Sequence, residues 1–217
     1  MKHPRTTTIP ATRPGGFTLI ELMFALAVAA IVIGIAVPNM RSFILNNRLS
    51  STATEMIRSM QTARTEATKR QQNVVVCFTA DLSVTTPTCV TSGYVAWILF
   101  EDTNKDLSHD AGETILEAHT FESDKYKVFA DNGKFISYAP TGFRVVDGST
   151  TATKNSTSIV VCDSRNYYDV SGGTTGQSMA RGLIITNTGR ARITREVTNT
   201  TTKLGVKELL SNTGGSC

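Results

Sequence analysis

Arg190 and Arg192 stand one residue apart in Gly189-Arg190-Ala191-Arg192-Ile193, near the end of a 217-residue chain. In an extended segment side chains alternate, so both guanidiniums project from one face, about 7 Å apart. A pair of fixed cations at that spacing suits successive phosphates of a nucleic-acid backbone. Arg181 and Arg195 flank the pair, and Lys203 and Lys207 follow. From Arg181 to Cys217 there are six basic and two acidic residues, so this tail is locally cationic. No aromatic residue lies between Gly189 and Cys217. The tail therefore offers phosphate contact without base stacking, which is independent of sequence. The same arginines also suit an exposed sheet edge, where cations discourage strand-to-strand aggregation.

A second chemistry-bearing group is Glu21. It is the only charge among the 21 residues from Phe17 to Val37. A lone carboxylate in an apolar span is costly in lipid and calls for a partner. The basic leader (Lys2, Arg5, Arg13) ends at Gly15-Gly16, just ahead of the span. A cut after Gly16 would leave a free α-amino group on Phe17, and the amino group of a neighbouring subunit could then pair with Glu21.

The remaining polar groups carry less. Asp102, Asn104, Asp106, Ser108, Asp110 and Glu113 fall at the spacing of a calcium loop. Leu107, however, stands where that loop needs a glycine, and the flanks read as strands. A polar turn between Phe100 and Ile115 is the expectation, with no metal and no cofactor. His3 lies in the leader, and His109 and His119 have no nucleophile motif or metal-ligand spacing beside them. The expectation is that this is not an enzyme.

The elements that must position these groups follow from pattern. Phe17–Val37 would make about 30 Å of helix, enough to cross a bilayer core. Beyond Pro38, which could kink a helix, Leu45, Leu49, Ala53, Met56, Met60, Ala63 and Ala67 recur at three- and four-residue steps. That stripe predicts one helix from Phe17 to about Arg70, its second half packed on a sheet. Arg58, Arg64, Lys69 and Arg70 could form a basic patch, but a solvated helix face is the expected reading.

From Asn73 the pattern turns β-rich: Val74–Phe78, Tyr94–Phe100, Thr114–His119, Tyr126–Ala130, Lys134–Tyr138, Arg144–Val146, Ser158–Cys162, Arg181–Thr186 and Arg190–Val197. Asp131-Asn132-Gly133 is a tight-turn signal joining two of these strands. The domains expected are a leader over 1–16, a membrane or filament helix over 17–37, an amphipathic helix over 38–70, and a β-rich head over 71–217. The class is α+β.

Net charge is +4 and the sequence pI about 8.9, too mild to imply nucleic acid by composition. Four cysteines in an exported head suggest two disulfides, for which three pairings exist. The favoured pairing joins Cys77 to Cys89, closing a short loop, and Cys162 to Cys217, pinning the chain end. No CxxC spacing occurs, so a zinc or redox site is not expected.

Gly16-Phe17-Thr18-Leu19-Ile20-Glu21 closely resembles the class III signal of type IV pilins and type II secretion pseudopilins. The blocks Gly93–Asp102, Phe135–Phe143, Ile159–Asp163, Arg181–Ile185 and Thr188–Arg192 resemble the FimT/GspH family of minor pilins and pseudopilins. That resemblance implies a type IV pilin-like fold, cleavage after Gly16 by a prepilin peptidase, and methylation of the new N-terminus at Phe17. It also implies residence in the bacterial inner membrane, then assembly with other pilin subunits into a surface pilus. Gly189, Arg190 and Arg192 match the Gly-Arg-x-Arg element of FimT-type pilins, which bind double-stranded DNA for natural transformation. The alternatives are a GspH-type pseudopilin of a secretion system and a pilus-assembly initiator that binds no DNA.

Overall fold

The computed structural model describes residues 16–121, 125–130, 135–145, 156–165, 177–196, 205–213 and 217. The chain divides into two compact units, Met1–Phe43 and Ile44–Cys217.

Helix α1 spans Leu19–Arg70 without a break at Pro38. Thr18 caps it: its Oγ1 accepts the Glu21 backbone N–H at 3.3 Å, and its carbonyl accepts that of Leu22. Glu21 in the first turn and Lys69 and Arg70 in the last complement the helix dipole. Gln71, at φ 57°, takes the left-handed conformation that ends the helix. Within the first unit, residues 16 to 37 are exposed, so the whole apolar run lies open to its surroundings.

In the second unit the predicted stripe is the buried one: Leu49, Ala53, Met56, Met60, Ala63 and Ala67. They meet two antiparallel sheets. Strands β1 (Asn73–Thr79), β2 (Ala96–Asp102), β3 (Ile115–Thr120), β5 (Phe135–Tyr138) and β6 (Arg144–Val145) form a sheet in the order β3-β2-β1-β5-β6. Strands β4 (Tyr126–Ala130), β7 (Ser156–Asp163), β8 (Gln177–Thr186) and β9 (Ala191–Glu196) form the second, in the order β4-β7-β8-β9. A short helix, α2 (Val206–Thr213), follows.

Both sheets are covered on both faces, and the strands show why they read as unbroken apolar runs. Val74, Val76 and Phe78 face α1, while Val75 and Cys77 join Ile98 and Phe100 under Leu82, Cys89 and Leu107. In the second sheet Ile159, Val161, Leu183 and Ile185 face α1. Val160, Cys162, Ala180 and Ile184 pack with Val206, Leu209 and Leu210 of α2. The disulfides are Cys77–Cys89 and Cys162–Cys217. The second ties the chain end to β7 beside α2.

Three expectations are corrected. The strands on either side of Asp131-Asn132-Gly133, β4 and β5, belong to different sheets. β4 and β5 therefore do not pair, and the Asp131-Asn132-Gly133 segment lies outside the described residues. The cationic tail contains α2, whose three buried apolar residues bind it to the sheet. β8 starts at Gln177, earlier than predicted, where its register with β9 shifts between Gln177 and Gly182.

The Asp102–Glu113 segment is a tight loop held by its own acids. Glu113 accepts the backbone N–H of Thr103 at 2.9 Å and of Asp110 at 3.1 Å, and Asp102 accepts those of Asp106 and Leu107. Leu107 sits at φ 65°, the conformation a glycine would take there. Among the described residues, no cluster of His, Cys, Asp or Glu is placed to hold a metal ion.

Candidate nucleic-acid interface

The arginine pair is presented by the β8–β9 hairpin. Gly189 N–H donates to the Thr186 carbonyl and Thr186 N–H to the Arg190 carbonyl, closing a three-residue loop. Gly189, at φ +77°, supplies the left-handed residue such a loop requires. It is also packed tight: a Cβ placed there would lie 2.6 Å from the Gly142 carbonyl oxygen and 3.1 Å from the Tyr138 ring. Its role is to shape the turn, and buried as it is, it offers no surface to a ligand.

The loop is clamped from the other sheet. Arg144 N–H donates to the Asn187 carbonyl at 3.0 Å, and its guanidinium donates to the Asn187 side chain and to Thr157. Tyr138 lies fully buried beneath Gly189, and burial pushes its pKa up to about 12, with Arg64 and Arg144 opposing the shift. The turn that precedes Arg190 is therefore held by neutral packing and a buried cation on its inner side.

Arg190 and Arg192 are exposed, and neither has an ion-pair partner among the described residues. Arg192 pairs with Ile184, whose side chain faces α2, so the two arginines lie on the α2 side of an edge strand. Lys207, exposed on α2, belongs to the same side. The α2 helix sits close because Gly182 has no side chain: a Cβ there would lie 2.7 Å from Leu209 and 2.8 Å from Thr194. Lys203 lies outside the described residues.

Two of the flanking arginines do not join the pair. Arg181 is 3% exposed, and its guanidinium donates to the carbonyls of Met179 and Ala180 and to Ser50 of α1. Burial pushes its pKa down to about 10, and Arg195 and Arg165 add repulsion. Alternation along β8 sends this side chain toward α1, so it is a structural interior cation with no access to phosphate. Arg195 is exposed but falls on the opposite face of β9 from Arg192.

In return the fold supplies two residues from distant parts of the chain. Arg64 of α1 brings its Nε to 3.2 Å from where a Cβ on Gly142 would sit, and it has no ion-pair partner among the described residues. Its neighbours on the helix are neutralised: Lys69 and Arg70 both meet Glu66, and Arg70 also meets Glu101 at 2.8 Å. Phe143 follows Gly142 and is 54% exposed. The sequence raises Arg64 only within a basic patch set aside as a solvated face, and it gives no signal for Phe143, because no periodicity links positions so far apart.

The histidines serve packing. His109 is buried, with Nδ1 3.1 Å from the Pro87 carbonyl. His119 stacks on Trp97 and bridges Glu55 of α1 and Glu117 of β3.

The arrangement is thus a rigid hairpin edge offering two unpaired guanidiniums, with a third close to the supporting loop. Such groups form charge-assisted, forked hydrogen bonds to phosphate oxygens.

Comparison with known proteins gives two family matches. Residues 52–201 match the family described as Type II transport protein GspH. Residues 12–37 match the Prokaryotic N-terminal methylation motif. Two crystal structures of the Pseudomonas aeruginosa type IV minor pilin FimU are similar. One has a TM-score of 0.44 at 15% identity, covering 67% of this chain and 91% of that one. The other has a TM-score of 0.46 at 17% identity, covering 70% and 91%. None of the curated proteins matches the sequence.

Proposed function

The chain belongs to the GspH family and carries the N-terminal methylation motif, and from that premise we propose that it is a minor pilin whose head holds double-stranded DNA. Membership implies assembly with other pilin subunits and processing by a prepilin peptidase. Cleavage falls after Gly16, and the amino group of Phe17 is then methylated. The exposed apolar run of α1 anchors the chain in the inner membrane before assembly and lines the filament core afterwards. Glu21 pairs there with the N-terminus of a neighbouring subunit, which removes the cost of a lone carboxylate in an apolar layer. The filament then carries the head to the cell surface. No reaction is assigned: the head binds and does not turn over a substrate.

One observation carries the DNA reading. Arg190 and Arg192 project from a hairpin whose turn is fixed on three sides, and no carboxylate of the described residues neutralises them. Lys207, on the same α2 side, extends the cationic surface. Contact is to phosphates, so affinity is modest, falls with salt and is indifferent to base sequence.

The test is uptake of labelled DNA by cells carrying Arg190→Gln with Arg192→Gln. Loss of uptake with normal filaments is expected. Normal uptake with defective filaments would assign the arginines to assembly. The family's description favours one second reading, a pseudopilin of a secretion system, in which the same variant impairs secretion and DNA is no ligand.

A further inference from the structure

Among the aromatic side chains of the second unit whose burial is described, Phe143 alone is exposed. Phe78, Trp97, Phe100, Phe121, Tyr126 and Tyr138 are buried, and Tyr94 and Phe129 are half-buried.

Its place makes the exposure specific. Phe143 is bracketed by two residues that touch the arginine hairpin. Before it, the Gly142 carbonyl lies 2.6 Å from where a Cβ on Gly189 would sit. After it, Arg144 N–H donates to Asn187 at 3.0 Å and its guanidinium reaches the Asn187 side chain. The loop carrying the ring is itself fixed, with Ala139 N–H donating to the Phe143 carbonyl and Gly142 N–H to the Ala139 carbonyl. From these contacts and standard backbone dimensions, the Cα atoms of Phe143 and Arg190 are within about 10 Å. Arg64 approaches the same loop from α1.

An exposed ring on a loop next to unpaired guanidiniums is the combination that single-stranded nucleic acid uses, with bases stacked on the aromatic face and the backbone tracking the cations. A duplex keeps its bases stacked inside and offers such a ring nothing. We infer that Phe143 stacks an unpaired nucleobase while Arg190 and Arg192 hold the adjoining phosphates, so that the site prefers DNA carrying a single-stranded overhang to blunt duplex. The inference rests on the DNA reading and sharpens its substrate class.

The experiment compares the full-length protein, in detergent, on a blunt duplex and on the same duplex with a short unpaired extension. Phe143→Ala, Phe143→Tyr and Arg190→Gln/Arg192→Gln run beside it, with folding checked by circular dichroism. Wild type should bind the extended DNA five- to tenfold more tightly. Phe143→Ala should bind both DNAs as wild type binds the blunt one, and Phe143→Tyr should restore the preference. Equal wild-type binding to both DNAs overturns the stacking role and leaves the phosphate reading intact. An equal loss on both DNAs in Phe143→Ala overturns it too, by making the ring a support for the hairpin. So does unchanged discrimination in a Phe143→Ala variant that fails to assemble filaments, which assigns the ring to subunit packing. No binding to either DNA by folded wild type removes the DNA reading itself.

Discussion

At the scale of single residues, the arginine hairpin depends on a glycine that touches no ligand. Gly189 combines a left-handed backbone with a contact that leaves no room for a methyl group. Gly189→Ala should destabilise the head by about 1–3 kcal/mol and weaken DNA binding, because the turn that aims Arg190 must shift. Denaturant midpoint and DNA affinity of the same sample check this together. Asp102 gives a pH signature. Burial holds its carboxyl above the ordinary value, with Glu113 and Asp106 adding to the effect and the backbone N–H groups of Lys105 and Leu107 opposing it. A raised carboxyl binds its proton more tightly in the folded state, so its contribution improves as pH falls through the folded pKa. Relative to Asp102→Asn, wild type should therefore gain stability as pH drops from 7 toward 4, as followed by thermal melts; a relative loss would contradict the burial account. The pair Arg190 and Arg192 was legible because a spacing of two is a local rule. Which face Arg181 takes was not, since alternation fixes parity and leaves the inward side to be set by α1.

At the scale of elements, the strands were legible because burial on both faces leaves continuous apolar runs such as Val74-Val75-Val76 and Ile159-Val160-Val161. The α1 stripe was equally plain, its alanines at 53, 63 and 67 interspersed with Leu49, Met56 and Met60 as close packing on a sheet requires. The short α2 was not, since three apolar residues within eight give little periodic signal and the helix is held by its contacts. Tight-turn chemistry at Asp131-Asn132-Gly133 likewise says that the chain reverses, and it does not say whether the flanking strands pair. The Cys162–Cys217 bond spans 55 residues and closes the loop that holds α2 against β7 and β8. Chain entropy alone makes such a closure worth about 4 kcal/mol. Cys162→Ser with Cys217→Ser should lower stability by that order and speed amide exchange in α2 first. Unchanged exchange in α2 would mean that Leu209 and Leu210 suffice to hold it.

At the scale of the whole molecule, the chain joins an apolar helix that makes a filament to a head that presents cations at a sheet edge. That Phe143 lies next to the arginine hairpin could not be read from the sequence, because only the folded head brings the loop carrying position 143 against the turn before Arg190. On the proposed function, a few phosphate contacts per head would give weak binding, and several heads along one filament would raise it through avidity. The decisive measurement is fluorescence anisotropy of labelled blunt duplex DNA titrated with the full-length protein in detergent across a salt series. Wild type should bind with an affinity that falls as salt rises. In the folded Arg190→Gln/Arg192→Gln variant, affinity should drop and the slope of log K against log salt should become shallower by about 2, near one unit for each phosphate left without its arginine. Unchanged affinity and slope in that variant, or no binding by wild type at low salt, would contradict the account and leave a purely structural subunit.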